Sequence, residues 1–135
     1  MLQGLNWVGV IVALVVTQAA SWLWYGKLFA DKMSVPLSPA AKTPAGYAEG
    51  AVFSLIMLIG IAWVIRRTNR DSLVGGVVTS LFLWFVFPFM GESLDWLYMG
   101  RSMSMVEIDA GYTFVYFLIA GALIGGLKLG GKAAA

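Results

Sequence analysis

The sequence predicts an all-α integral membrane protein with four transmembrane helices in a compact bundle. Of its 135 residues, 60% are hydrophobic and 12% are charged, whereas soluble proteins average about 45–50% and about 25%. The charges lie outside four long apolar runs, because none precedes Lys27 and none falls within residues 50–65, 72–91 or 110–127. Runs of this length match the ~20 residues that cross a ~30 Å hydrocarbon layer.

The apolar runs define the predicted helices and a single domain over residues 1–135. The helices are expected at residues 5–25, 47–65, 73–90 and 110–127. A β-barrel is disfavoured because the runs lack polar and apolar alternation, and a helix satisfies its own backbone groups, as lipid requires. No basic residue precedes the first run, which is also longer than the apolar core of a signal peptide. We therefore expect it to be a retained helix.

Prolines predict two irregular segments. Pro36, Pro39 and Pro44 follow the first run and favour an extended or turn conformation before the second helix. Pro88 lies in the aromatic third run, where its ring removes the hydrogen bond to the Trp84 carbonyl. A kink near Trp84 is therefore expected.

The placement of the cations predicts the orientation. Four crossings bring both termini and the loop between the second and third helices to one side. That short loop contains Arg66, Arg67 and Arg70, and Lys128 and Lys132 follow the last helix. Because short loops weigh most in the positive-inside rule, both termini are predicted to be cytoplasmic. Most of the carboxylates then lie on the outer side.

Small residues at a spacing of four predict close helix packing. The first helix contains Gly9, Ala13, Thr17 and Ser21, and the fourth contains the GxxxG pair Gly121 and Gly125. Residues four apart share a helix face, and small ones let two backbones approach. We expect them to pack within the chain, with contacts between subunits as the alternative.

Glu49 and Gln18 are candidate site residues in or beside the apolar runs. The charge-free stretch after Glu49 covers residues 50–65, 16 in all, which is about 24 Å of helix against a ~30 Å core. Glu49 should therefore enter the membrane boundary on the outer side, where its carboxylate needs Lys27, Arg101, water or a proton. Gln18 should face another helix, because an unpaired amide is costly in lipid.

Three further carboxylates, Glu92, Asp95 and Asp109, complete the candidate polar or transport site. Glu92 and Asp95 share a helix face if the third helix reaches them, and Asp109 opens the fourth helix near its positive end. Carboxylates can bind a hard cation, but no ligand loop of suitable spacing is present. We favour solvated or paired surface charge over a cation or proton site, and no metal is predicted.

Composition argues against several function classes. The chain has no His and no Cys, so the commonest general base, the thiolate nucleophile and the commonest transition-metal ligands are absent. Nucleotide-binding glycine motifs are also absent, and a net charge of +2 gives no electrostatic basis for nucleic-acid binding. The sequence therefore predicts no catalytic residues, no enzyme and no cofactor, with bound lipid as the one expected small molecule.

Several short motifs resemble a known family. They are Leu5-Asn6-Trp7, Leu23-Trp24-Tyr25, Gly100-Arg101, Ile108-Asp109-Ala110-Gly111-Tyr112 and the stretch from Gly121 to Gly125. These resemble the small four-helix bacterial membrane proteins catalogued as domain of unknown function seventeen-sixty-one. The resemblance implies the fold and a bacterial inner (cytoplasmic) membrane, and it implies no activity. The chain departs from the family in its proline-rich outer loop and in Asp109, where Asn is frequent.

The predicted function is that of a structural or accessory subunit that docks on a larger membrane complex or on itself. The small-residue faces and the aromatic third helix favour this role. The alternative is a small homo-oligomeric transporter or channel lined by Thr17, Gln18, Ser21 and Glu49. Expected partners are membrane lipids and other membrane subunits or a second copy.

Overall fold

The computed structural model describes residues 2–33 and 38–127. Every regular element within these residues is helical. Four helices are long and apolar enough to cross a membrane, and we number them as spans one to four: Trp7–Leu28, Pro44–Arg67, Leu73–Met99 and Met103–Gly126. The predicted all-α, four-helix membrane fold is thereby confirmed. Pro36, Lys128 and Lys132 lie outside the described residues.

Capping side chains set the beginning of each span. Asn6, Thr43, Ser72 and Ser102 each accept a hydrogen bond from the backbone N–H three residues later, which satisfies one of the free donors at a helix start. Spans two and four therefore begin at Pro44 and Met103, earlier than the apolar runs predict. The boundary predictions were too short because a helix continues beyond the hydrocarbon for as long as its caps allow.

Two π-helical segments interrupt the α-helical geometry. Span one is α-helical to Leu23 and ends in the π-helix Trp24–Leu28. Span three is α-helical over Leu73–Trp84, passes through the π-helix Phe85–Phe89 and resumes as an α-helix over Met90–Met99. The second π-helix contains Pro88 and lies next to Trp84, because the wider turn accommodates a residue without an N–H. Short 3₁₀ turns at Ala30–Lys32 and Pro39–Lys42 form the described parts of the outer loop.

Span four lies at the centre of the bundle and contacts the other three. In its most apolar 18-residue stretch, 44% of the residues are buried, against 17–28% in the corresponding stretches of the other spans. The core around it consists of Leu5, Val10, Ala13, Leu58, Ile61, Ala62, Ile65, Tyr116, Phe117, Ala120 and Ile124. The central helix therefore positions the polar side chains described below.

Small residues bring the neighbouring spans close to span four. Gly9, Ala13 and Thr17 are buried and Ser21 is half-buried in span one. A Cβ added at Gly121 would lie 2.5 Å from the Gly76 carbonyl oxygen, and one at Gly125 would lie 2.8 Å from the Gly76 Cα. The structure thus places the GxxxG pair against span three of the same chain.

Asn6 joins the start of span one to the end of span four. Its side-chain Nδ2 donates to the carbonyls of Ile124 at 2.8 Å and Leu127 at 2.6 Å, while its Oδ1 accepts from the Gly9 N–H at 3.1 Å. The amide therefore caps two helix ends at once. These two helix ends lie on one side of the bundle, and the assignment of that side to the cytoplasm stays a prediction.

Candidate functional site

An ion cluster joins spans three and four at the end of the bundle opposite the Asn6 cap, and we name the two ends outer and inner after the predicted orientation. Span three ends at Met99; the next residue, Gly100, adopts a left-handed conformation with φ 67°, and Arg101 follows it. The two terminal nitrogens of Arg101 form ion pairs with Glu92 and Asp109, one with each. These side chains are 29%, 19% and 16% exposed for Arg101, Glu92 and Asp109. One guanidinium therefore neutralises carboxylates from two helices.

Span one is attached to the same cluster. The Tyr25 hydroxyl donates to Asp109 Oδ1 at 2.5 Å, and the Trp24 indole Nε1 donates to the Ile108 carbonyl at 3.0 Å. Burial alone would lower the pKa of Arg101, but the hydrogen bond and charge of Asp109 and the charge of Glu92 outweigh it and raise that pKa. The guanidinium is therefore permanently charged and holds the outer ends of three spans together.

A line of hydroxyl groups continues from this cluster into the bundle. Tyr112 OH donates to the Thr17 carbonyl at 3.4 Å. Tyr116 OH donates to the Ser54 carbonyl at 3.1 Å and lies 2.6 Å from Ser54 Oγ, which must then donate in return. The ring centroids of Tyr25 and Tyr112 are 5.2 Å apart, and those of Tyr112 and Tyr116 are 6.1 Å apart. We call these three tyrosines the hydroxyl line.

The hydroxyl line ends near the middle of the bundle. Towards the termini, the interior continues with the fully buried aliphatic side chains of Val10, Leu58, Ile65 and Ile124. All buried side-chain nitrogen and oxygen atoms of the described residues have a hydrogen-bond partner. The interior polar side chains are thus already hydrogen-bonded within the bundle, and a mostly apolar layer, in which Ser80 donates to the Phe117 carbonyl, separates the hydroxyl line from the inner end.

The structure brings together only some of the predicted site residues. Glu92 and Asp109 share Arg101, whereas the Asp95 side chain is exposed and its backbone carbonyl accepts from the Arg101 N–H at 3.4 Å. Gln18 is half-buried in span one, and Glu49 is exposed on span two. The five predicted residues therefore do not form one site.

The partners expected for Glu49 are engaged elsewhere. Arg101 pairs with Glu92 and Asp109, so of the alternatives expected for Glu49 the pairing with Arg101 is not formed. Lys27 Nζ lies 5.2 Å from the ring centroid of Trp22. Within residues 2–33 and 38–127, no hydrogen bond or ion pair to the Glu49 side chain is formed. No three acidic side chains of these residues are placed to hold a metal ion.

Sequence analysis missed the hydroxyl line and the Asn6 cap. Asp109, Tyr112 and Tyr116 lie three and four residues apart, which places them on one face of span four. That spacing was a readable signal for a polar face. The role of Asn6 carried no such signal, because its acceptors lie 118 and 121 residues away along the chain.

Comparisons with known proteins point to one family. A family model described as "Protein of unknown function (DUF1761)" matches residues 8–125. No curated protein and no solved structure matches the chain. The matched range begins inside span one and ends inside span four, so it includes the ion cluster, the hydroxyl line and Glu49.

Proposed function

Because the chain belongs to the DUF1761 family, whose function is unknown, we propose a role from the geometry of the protein itself. It is a non-enzymatic accessory subunit of a bacterial inner membrane that docks on a larger membrane complex or on a second copy. The resemblance supports this location. The four candidate spans provide the multi-pass membrane anchor from which such docking would occur.

The exposed carboxylate of Glu49 carries this proposal. It lies 17 residues before Arg66 on the same helix, a separation of about 26 Å, which is shorter than a ~30 Å hydrocarbon layer. A carboxylate at this depth is costly unless it finds water, a proton or a cation. The described part of the chain supplies no cation, so a partner that does so would gain binding energy and specificity.

The surface below Glu49 suits a helix from another subunit. Phe53, Ile56 and Gly60 follow Glu49 on one side of span two at spacings of four, three and four. Phe53 and Ile56 are 66% and 63% exposed, and a Cβ added at Gly60 would meet nothing within 4 Å. We call these four residues the Glu49 face. Its glycine would let a second backbone approach, as in other membrane helix pairs.

The packed interior also favours an assembly role. The buried polar atoms of the described residues already have partners, and Arg101 already binds two carboxylates. Recognition chemistry without an internal partner therefore lies on the outside of the bundle, where Glu49 is exposed. A partner helix with Lys or Arg at the same depth is the expected counterpart.

Purification in mild detergent followed by native mass analysis tests this role. The wild-type chain should co-purify at fixed stoichiometry with another membrane subunit or with itself, and Glu49→Gln should reduce that association. Glu107→Gln is the matched control, because Glu107 is an exposed carboxylate near the same end of the bundle. The proposal is refuted if all three proteins elute as monomers, or if both variants associate as the wild type does.

The alternative role is transport by a small homo-oligomer. The hydroxyl line favours it, since Tyr25, Tyr112 and Tyr116 extend from the outer end to mid-bundle. The apolar layer beyond them requires several copies to complete a path. Ion flux into liposomes should then change with Glu49→Gln and with Tyr116→Phe. Equal flux for the wild type, both variants and protein-free liposomes would exclude transport of the tested ion.

A further inference from the structure

The turn between spans two and three is fixed by backbone hydrogen bonds. Asn69 has φ 57°; its N–H donates to the Arg66 carbonyl at 3.1 Å, and the Arg70 N–H donates to the Ile65 carbonyl at 2.9 Å. This is a Schellman motif with Asn in the left-handed position. It gives backbone donors to two of the last carbonyls of span two.

A cavity lies beside this turn at the inner end of span two. Its volume is about 520 Å³, and its described lining consists of Trp63, Arg66, Arg67 and Asn69. That volume is many times the ~30 Å³ of a water molecule. The lining presents two guanidinium groups, an amide and an indole, and no carboxylate. Such a set favours an anion with several oxygen atoms.

Arg67 is the side chain on which binding at this cavity depends. It is exposed at the last residue of span two, whereas Arg66 is half-buried and has a further contact within the chain. A guanidinium presents two parallel N–H donors to a phosphate group. The Asn69 side-chain amide adds donors from the rigid turn.

We propose that this cavity binds the phosphate of an anionic phospholipid headgroup. The level of the cavity favours a lipid over free phosphate: Trp63 lies one helical turn before Arg67, and Trp side chains prefer the boundary between headgroups and acyl chains. Basic pockets at the ends of membrane helices are known binding sites for such headgroups. The lipid would brace the turn against the membrane on the side that carries the Asn6 cap.

Native mass spectrometry with two lipids of identical acyl chains tests the site. The wild-type protein should retain phosphatidylglycerol and release phosphatidylcholine. Arg67→Gln should weaken phosphatidylglycerol retention about five-fold, which is the effect of one surface cation. Retention by Arg67→Lys should lie between that of the wild type and that of Arg67→Gln, because lysine keeps the charge but lacks the two parallel N–H donors. Lys42→Gln, which removes an exposed cation from the outer loop, should leave retention unchanged.

Three outcomes would overturn this assignment. Equal retention of both lipids by the wild type would show that the cavity does not recognise headgroup charge. Equal phosphatidylglycerol retention by the wild type and Arg67→Gln would place the lipid elsewhere. Displacement of phosphatidylglycerol by millimolar inorganic phosphate would mean that the cavity recognises a free anion and not a lipid. As a folding control, the helix content of Arg67→Gln measured by circular dichroism should equal that of the wild type.

Discussion

Replacing Gly125 with alanine should separate spans three and four. The added Cβ would lie 2.3 Å from the Ser72 carbonyl oxygen, 2.8 Å from the Gly76 Cα and 3.2 Å from the Gly76 nitrogen. All three atoms belong to the backbone, so no side chain can rotate to make room. Ser72 also caps span three, which ties the obstructing carbonyl to the start of that helix. One span must therefore move.

The expected cost follows from three contributions. Overpacking costs about 1–3 kcal/mol. Separation of the spans also weakens the hydrogen bond from Ser80 Oγ to the Phe117 carbonyl, and such bonds are worth about 0.6 kcal/mol in a membrane protein. Alanine favours a helix over glycine by about 1 kcal/mol. The free energy of unfolding of Gly125→Ala should therefore fall by about 0.6–2.6 kcal/mol.

Titration with sodium dodecyl sulfate in mixed micelles, followed by circular dichroism, measures this change. Gly91→Ala is the matched control, since its Cβ would meet nothing within 4 Å. The control should be as stable as the wild type or up to about 1 kcal/mol more stable. If Gly125→Ala is as stable as Gly91→Ala, the close contact between spans three and four does not exist in the folded protein.

Three further predictions concern the two ends of the bundle. Asn6→Ala should lower the free energy of unfolding by about 1–3 kcal/mol, because two carbonyls and one N–H lose their hydrogen-bond partner. Asn6→Asp should be destabilised as well, since its carboxylate would face those carbonyls. Wild-type stability of either variant would contradict the cap. Arg101→Gln should lower the free energy of unfolding by about 1–2 kcal/mol more than Glu92→Gln in the same detergent titration, because it leaves two part-buried carboxylates unpaired. Equal effects of the two variants would show that Arg101 does not stabilise both carboxylates. A reporter fused after Ala135 should be active only in the cytoplasm, and activity outside would reverse the predicted orientation.

The fold could be predicted from charge placement because charge is costly in the part of each span that crosses the hydrocarbon. The ends of the spans could not be predicted in this way, since residues 91–99 and 103–109 are helical although polar residues interrupt their sequence. Apolar composition predicts which residues lie in the hydrocarbon, whereas helix length depends on capping residues such as Ser102 and the left-handed Gly100. Reading those caps would have improved the boundaries.

The candidate site was only partly predictable. The depth of Glu49 follows from counting residues along one helix, a purely local calculation. The pairing of Arg101 depends on how span three returns to span four, which cannot be read from the sequence, because six outer carboxylates and one outer arginine permit several pairings. The structure selects Glu92 and Asp109, so among the described residues Arg101 is not the cation of Glu49.

Site-specific photo-crosslinking in native membranes tests the docking role of the Glu49 face most directly. Phe53 and Phe82 are 66% and 65% exposed on spans two and three, so benzoylphenylalanine can replace either with little change in shape. We predict a discrete adduct, either a dimer or a larger species of constant mass, from position 53. It should be absent from position 82 and lost when Glu49→Gln is added. Equal crosslinking at both positions, or an adduct at position 53 that persists without the Glu49 carboxylate, would contradict this account.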